Sequence, residues 1–170
     1  MPIFIYYNIF KIIIKIVKQI NTFAVLCLNT HYMLLYRGII TLDYNPATDV
    51  LTTSMPDLRN VALSEIGYCL SMIFESIKNY DIKHLLLDCR CSIVEIEDEH
   101  YKSIAFEFSK VLMKTRLNRI ARVGTADAGR EERAAKISEE LDQELPLRVV
   151  YRSFSSRAEA MDWLLSSVPA

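Results

Sequence analysis

Glycine and proline are scarce in this chain, at 4 and 5 of 170 residues. That argues against β-sandwiches and solenoids, which reverse the chain tightly and often. Of the four cysteines only Cys89 and Cys91 stand close, and C-x-C is too tight for the usual zinc spacing. His31, His84 and His100 are scattered, form no H-x-x-x-H, and complete no metal set with them. The cysteines therefore read as reduced thiols rather than a disulfide framework. A formal net charge of −1 removes any global pull toward nucleic acid. No catalytic carboxylate pair, Ser/His/Asp arrangement or nucleotide fingerprint is visible, so neither an enzyme nor a bound metal or cofactor is expected. What is present is material for a core: 51% apolar residues against 24% charged.

The chain joins two compositions near Met33. In residues 1–32, Ile, Lys, Tyr, Phe and Asn fill 20 of 32 positions, and Asp, Glu, Arg and Gly are missing. From Met33 onward those five types fill 31 of 138 positions, and 17 basic residues face 21 acidic ones. Lys11, Lys15, Lys18, Gln19 and Asn21 interrupt every window long enough to span a bilayer. A signal peptide would need an early positive region and an A-x-A cleavage pattern, and both are absent. Two readings remain for this leader. Lys11, Lys15 and Lys18 form one basic stripe beside Ile9–Ile20, as in an interfacial helix. Alternatively translation starts at Met33, because those five residue types are the ones AT-rich codons encode. The expectation is a misassigned start or an interfacial helix at 1–32, then one cytoplasmic domain over 33–170.

From Leu34 strand and helix periods alternate. Leu34–Leu42 and Asp49–Met55 read as a hairpin around Asn45-Pro46. Ile66, Leu70, Ile73, Phe74 and Ile77 mark one face of a helix ending near Asn79. His84–Asp88 (HLLLD) is a strand buried on both faces. A second helix covers Asp98–Thr115, with Tyr101, Ile104, Phe108, Val111 and Leu112 inward. Arg119–Gly124 is a strand, Asp127 caps a third helix over Ile137 and Leu141, and Leu147–Phe154 is the last strand. Ser156-x-x-Glu159 is a capping box opening the final helix. The expected fold is α/β in the order β-β-α-β-α-β-α-β-α, a mostly parallel sheet with an antiparallel N-terminal edge hairpin.

Four features carry candidate chemistry. Gly124 to Gly129 has the glycine spacing of a P-loop. Arg130 and Glu131 then stand where Lys and Ser/Thr are required, so a plain strand-turn-helix joint is the better reading. Asp88 ends the central strand, where open α/β sheets bind ligands, or holds loop amides. Cys89 and Cys91 are packing thiols or a redox-sensitive pair. Lys110, Lys114, Arg116, Arg119 and Arg122 form either a docking patch for an anionic partner or an ordinary basic helix end.

Two stretches resemble the bacterial STAS-like proteins of the SpoIIAA-like group, related to anti-sigma factor antagonists. One is His84–Arg90, Ile93–Ile96 and the acidic helix start after it. The other runs from Arg119–Val123 through Arg152–Phe154 to Glu159–Leu164. The resemblance implies a non-enzymatic regulatory module that docks a protein partner, or itself, through Asp88, Ser92, Asp98 and Glu99. Such antagonists are switched by phosphorylation of a Ser or Thr at the start of the second helix. Here that region reads Glu97-Asp98-Glu99, so the usual phospho-switch is not expected. Some relatives in the wider group are similar to lipid-binding Sec14 domains. That keeps a second reading open, a small carrier of an apolar ligand between helix and sheet. A membrane enters only if residues 1–32 are real.

Overall fold

The chain divides into two units, Met1–Tyr32 and Met33–Ala170. The computed structural model describes residues 32–146 and 148–166, so the expectations for the leader lie outside the described residues. The second unit is an α/β domain. Its six strands are β1 (Met33–Arg37), β2 (Thr41–Asn45), β3 (Val50–Ser54), β4 (His84–Asp88), β5 (Arg119–Val123) and β6 (Val150–Phe154). Its described helices are α1 (Leu63–Tyr80), α2 (Asp98–Leu112), α3 (Ala128–Glu144) and α4 (Arg157–Leu165). The strands form one sheet in sequence order; β1, β2 and β3 pair antiparallel, and β3 to β6 pair parallel.

The apolar run expected as one strand over Leu34–Leu42 is two strands. The chain reverses at Gly38, whose N–H donates to the Ile40 carbonyl at 2.9 Å. A Cβ at Gly38 would lie 2.2 Å from the Tyr36 hydroxyl oxygen, so any larger residue there would have to displace the Tyr36 ring. The N-terminal element is therefore a three-stranded meander rather than a hairpin. Its second turn is closed by Asn45 Oδ1, which accepts the Ala47 N–H at 2.9 Å. Asp49 ends that turn with φ 55°, a left-handed conformation that a short polar side chain tolerates. The Asp49 carboxylate accepts from the Tyr44 hydroxyl at 3.1 Å and from Lys83 Nζ at 2.9 Å, which ties the turn to the start of β4.

Alternation along the parallel strands sorts the core into two faces. Leu51, Leu85, Ile120 and Tyr151 are in register across β3 to β6. That face meets Cys69, Ile73 and Ile77 of α1 and Leu112 of α2. The opposite face carries Val50, Leu86, Ala121 and Val123 and is closed by Ala160 and Leu164 of α4. Successive crossovers in one direction along a sheet lie on one side of it, which is why α1, α2 and α3 share a face. The chain has to pass beyond β6 before a helix can cover the other.

Helix termini follow their local chemistry. Asp127 caps α3 by accepting the Arg130 N–H at 3.0 Å, and Ser156 caps α4 by accepting the Glu159 N–H at 3.2 Å. The Glu159 carboxylate accepts from Ser155 Oγ at 3.1 Å. In α2 only Leu112 is buried; Tyr101, Ile104 and Phe108 are half-buried, because they border a cavity rather than a packed surface.

The closure by α4 makes a test between neighbours. Leu164 is 1% exposed and Leu165 is 48% exposed. Leu164→Ala should cost about 3 kcal/mol in urea melts, and Leu165→Ala less than about 0.5 kcal/mol. Equal losses would mean that α4 does not pack through this face.

Candidate functional site: an apolar cavity with a buried ion pair

Between the sheet and the three helices on its first face lies a cavity of about 230 Å³. Ile66 and Leu70 of α1, Leu87 and Ile120 of the sheet, Ile104 and Phe108 of α2, and Ile137 and Leu141 of α3 give it apolar walls. Ser109, Met113, Ser138 and Asp142, from the C-terminal halves of α2 and α3, also border it, and Asp142 is exposed to solvent. Three ion pairs join α2 to α3 across their surface: Lys102 to Glu140 at 3.0 Å, Lys102 to Glu144 at 2.7 Å, and Arg133 to Asp98 at 2.7 Å.

One region of the lining is polar. Arg122 follows Ile120 on the inward side of β5, is only 8% exposed, and would be costly to bury alone. Its two terminal nitrogens donate to the Glu131 carboxylate at 2.6 and 2.8 Å, a fork that fits guanidinium to carboxylate. Burial works against the Arg122 charge, and Glu131 more than restores it, so the group stays protonated. The Arg122 hydrogen bonds hold the Glu131 carboxyl below the ordinary carboxylate range, helped by the Thr125 N–H at 2.8 Å. Gly124 makes this possible: a Cβ there would sit 2.4 Å from a Glu131 carboxylate oxygen. The glycine spacing that suggests a phosphate loop thus admits the protein's own carboxylate. Cys89, Tyr101 and Tyr151 line the cavity beside Arg122. Burial raises the Cys89 thiol and the Tyr101 phenol and pushes the Tyr151 phenol up to about 12, so all three are neutral near pH 7. A protonated thiol is a poor nucleophile, and Cys89 has no positioned base to activate it among the described residues.

The loop from β4 to α2 borders the cavity through Ser92, Val94 and Ile96, and arginines of α3 hold it. Arg130 donates to the Ser92 carbonyl at 2.9 Å, and Arg133 to the Val94 carbonyl at 3.1 Å and to the Ile96 carbonyl. Arg133 also lies over the Tyr101 ring, 4.8 Å from its centroid.

The four residues expected to dock a partner separate into two groups. Asp88 is buried, and its carboxylate accepts from Arg90 Nε at 2.9 Å and a terminal Arg90 nitrogen at 2.7 Å. Those bonds hold its carboxyl below the ordinary range. By alternation it shares the α4 side of the sheet with Leu86, away from the cavity. Ser92 is also buried. Asp98 and Glu99 stand exposed at the start of α2, and of the two only Asp98 has an ion pair. The basic residues near the end of α2 do not make one patch either. Lys110 pairs with Glu107, Arg116 with Asp81, and Arg119 donates to carbonyls at the end of α4. Arg122 belongs inside. Its signal was its place two residues after Ile120 in a strand, which sets both on one face. Glu131 had none beyond a single turn of helix.

In comparisons with known proteins, no family model, curated protein or solved structure matches this chain. Among the described residues no helix is long and apolar enough to cross a membrane. No group of three metal-ligating side chains occurs among them.

The ion pair sets an acid limit on stability. Glu131 and Asp88 have folded pKa values below their unfolded values near 4. The stability each provides is therefore complete above about pH 4.5 and is lost as pH falls through the folded value. Glu131→Gln should cost about 3 kcal/mol at pH 7, leaving Arg122 buried and unpaired, and should flatten the acid limb of a Tm-against-pH curve. An acid limb as steep as that of the wild type would contradict the pairing. Gly124→Ala should lower Tm in the same direction, by displacing the same carboxylate.

Proposed function

We propose that the Met33–Ala170 unit is a non-enzymatic binding domain for a small apolar molecule, a carrier or sensor that holds its ligand between the sheet and α2/α3. The observation that supports this reading is the cavity. Its volume of about 230 Å³ exceeds the roughly 150 Å³ of an engineered apolar cavity that admits benzene. The space opens partly to solvent beside exposed Asp142, which gives a ligand a way in, and protein layers otherwise pack to crystal density. Pockets of this class are lined by apolar and aromatic side chains with a few polar groups, as this one is. A neutral, half-buried Cys89 and ion-paired carboxylates offer little for catalysis.

A second reading is the regulatory docking module implied by the STAS-like resemblance, without the usual phospho-switch. What favours it is the exposed run Glu97-Asp98-Glu99 at the opening turn of α2. If that run is a self-association face, sedimentation velocity on the full chain will find a dimer that Asp98→Lys with Glu99→Lys converts to monomer. A wild-type monomer at all concentrations would leave self-docking without support.

The ligand reading is tested with naphthalene on the full chain. Saturation near 100-fold over Kd should stabilise the fold by about 2.7 kcal/mol, read as a rise in Tm. Ala134→Phe, which places a ring in the cavity, should remove that rise while keeping the circular dichroism of the wild type. A wild-type Tm unmoved by naphthalene would sink the proposal. In alkylation mapped by mass spectrometry, exposed Cys91 should be labelled before Cys89, and naphthalene should slow labelling at Cys89 alone.

A further inference from the structure

The polar side of the cavity says what kind of ligand it suits. Arg122 is the cation in the lining, and its terminal nitrogens are committed to Glu131 at 2.6 and 2.8 Å. Glu131 in turn accepts from Arg122 and from the Thr125 N–H at 2.8 Å, so the pair offers a ligand no net charge, while Arg122 keeps N–H groups beyond the two that Glu131 accepts. The phenols beside the pair are different. The Tyr101 hydroxyl has no hydrogen-bond partner among the described residues. The Tyr151 hydroxyl has only a long contact, accepting from Ser153 Oγ at 3.4 Å. Both rings are held in place, Tyr101 beneath Arg133 and Tyr151 by pairing with Ile120 in the sheet. Both residues are half-buried and border the cavity, so a group bound there can take up hydroxyls that the protein leaves uncommitted. An ionised group brought to the same place would lose its hydration and find no opposite charge to replace it.

Building on the ligand reading, we infer that the molecule held here combines an apolar body with one uncharged hydrogen-bonding group, a hydroxyl or carbonyl, seated against Tyr101 and Tyr151. Carboxylates and ammonium ions of the same body are rejected. The cavity thus selects by head-group charge, and the Arg122–Glu131 pair supplies the selection by carrying no net charge.

Three probes that share one apolar body separate these claims: naphthalene, 2-naphthol and 2-naphthoate, each titrated at pH 7 into the full chain by equilibrium dialysis. The expected order is 2-naphthol tightest, with naphthalene and 2-naphthoate each about tenfold weaker or more. Tyr101→Phe with Tyr151→Phe should erase the gap between 2-naphthol and naphthalene, with a circular dichroism spectrum like that of the wild type to exclude loss of folding. Glu131→Gln, where it folds, should raise 2-naphthoate affinity by freeing the Arg122 charge. Wild-type protein that binds 2-naphthoate as tightly as 2-naphthol overturns the inference, and so does a 2-naphthol preference that survives both tyrosine changes. In either case naphthalene binding keeps the ligand reading alive. Failure of all three probes to bind removes the ligand reading itself.

Discussion

The Arg122–Glu131 fork is the constraint on which the first face of the sheet depends. A guanidinium on the inner side of a strand would be intolerable among Leu87, Ile104 and Phe108 if it stood alone. Paired with Glu131 it becomes a fixed, overall neutral unit that joins the end of β5 to the first turns of α3. Gly124 is the condition for the pair, because any side chain there would occupy the place of the carboxylate. A strand residue, a turn residue and a helix residue within ten positions thus fix the angle at which α3 leaves the sheet.

That angle bears on why a cavity persists where collapse would be expected. An apolar void closes when its walls can move inward, and here each wall is tied elsewhere. The loop from β4 to α2 is held by Arg130 and Arg133 through carbonyl oxygens, bonds that require those arginines to stay on their side of α3. Lys102 links α2 to Glu140 and Glu144 at the surface. Each exposed pair contributes little by itself, typically below 1 kcal/mol, but several of them fix a spacing between helices whose apolar faces do not fully meet. The half-burial of Tyr101, Ile104 and Phe108 is the record of that spacing.

The order of elements was legible because periodicity is read one segment at a time. HLLLD announced a strand covered on both faces, and the acidic start and basic end of α2 announced its direction. The first turn is hard to read because it has no Pro, Asn or Asp; Arg37-Gly38-Ile39 lies between apolar Leu34–Tyr36 and Ile40, and the Tyr36 ring that packs on Gly38 gives no signal in the sequence. Asp88 is legible as a strand-terminal carboxylate, but nothing in the sequence marks Arg90, two residues on, as its partner. The cavity was invisible for a more general reason. A residue that lines a void and one that fills a core have the same identity, and only the spacing of α2 from α3 separates them. Arg122 was counted by charge among its neighbours in sequence, whereas its environment is decided by strand parity and by Glu131.

The two functional readings meet in one side chain. Arg133 pairs with Asp98 at the exposed start of α2, donates to the Val94 and Ile96 carbonyls of the cavity loop, and lies over the Tyr101 ring. A ligand that moves the Tyr101 ring alters the surface on which Arg133 rests, and with it the placement of Asp98. A partner that drew Asp98 away would loosen the loop over the ligand. Linkage makes these the same free energy seen from two sites, so any effect of ligand on docking must equal the effect of docking on ligand affinity. Arg133 thus ties the acidic turn of α2 to the loop and the ring that border the cavity. Arg133 is the residue through which each would sense the other.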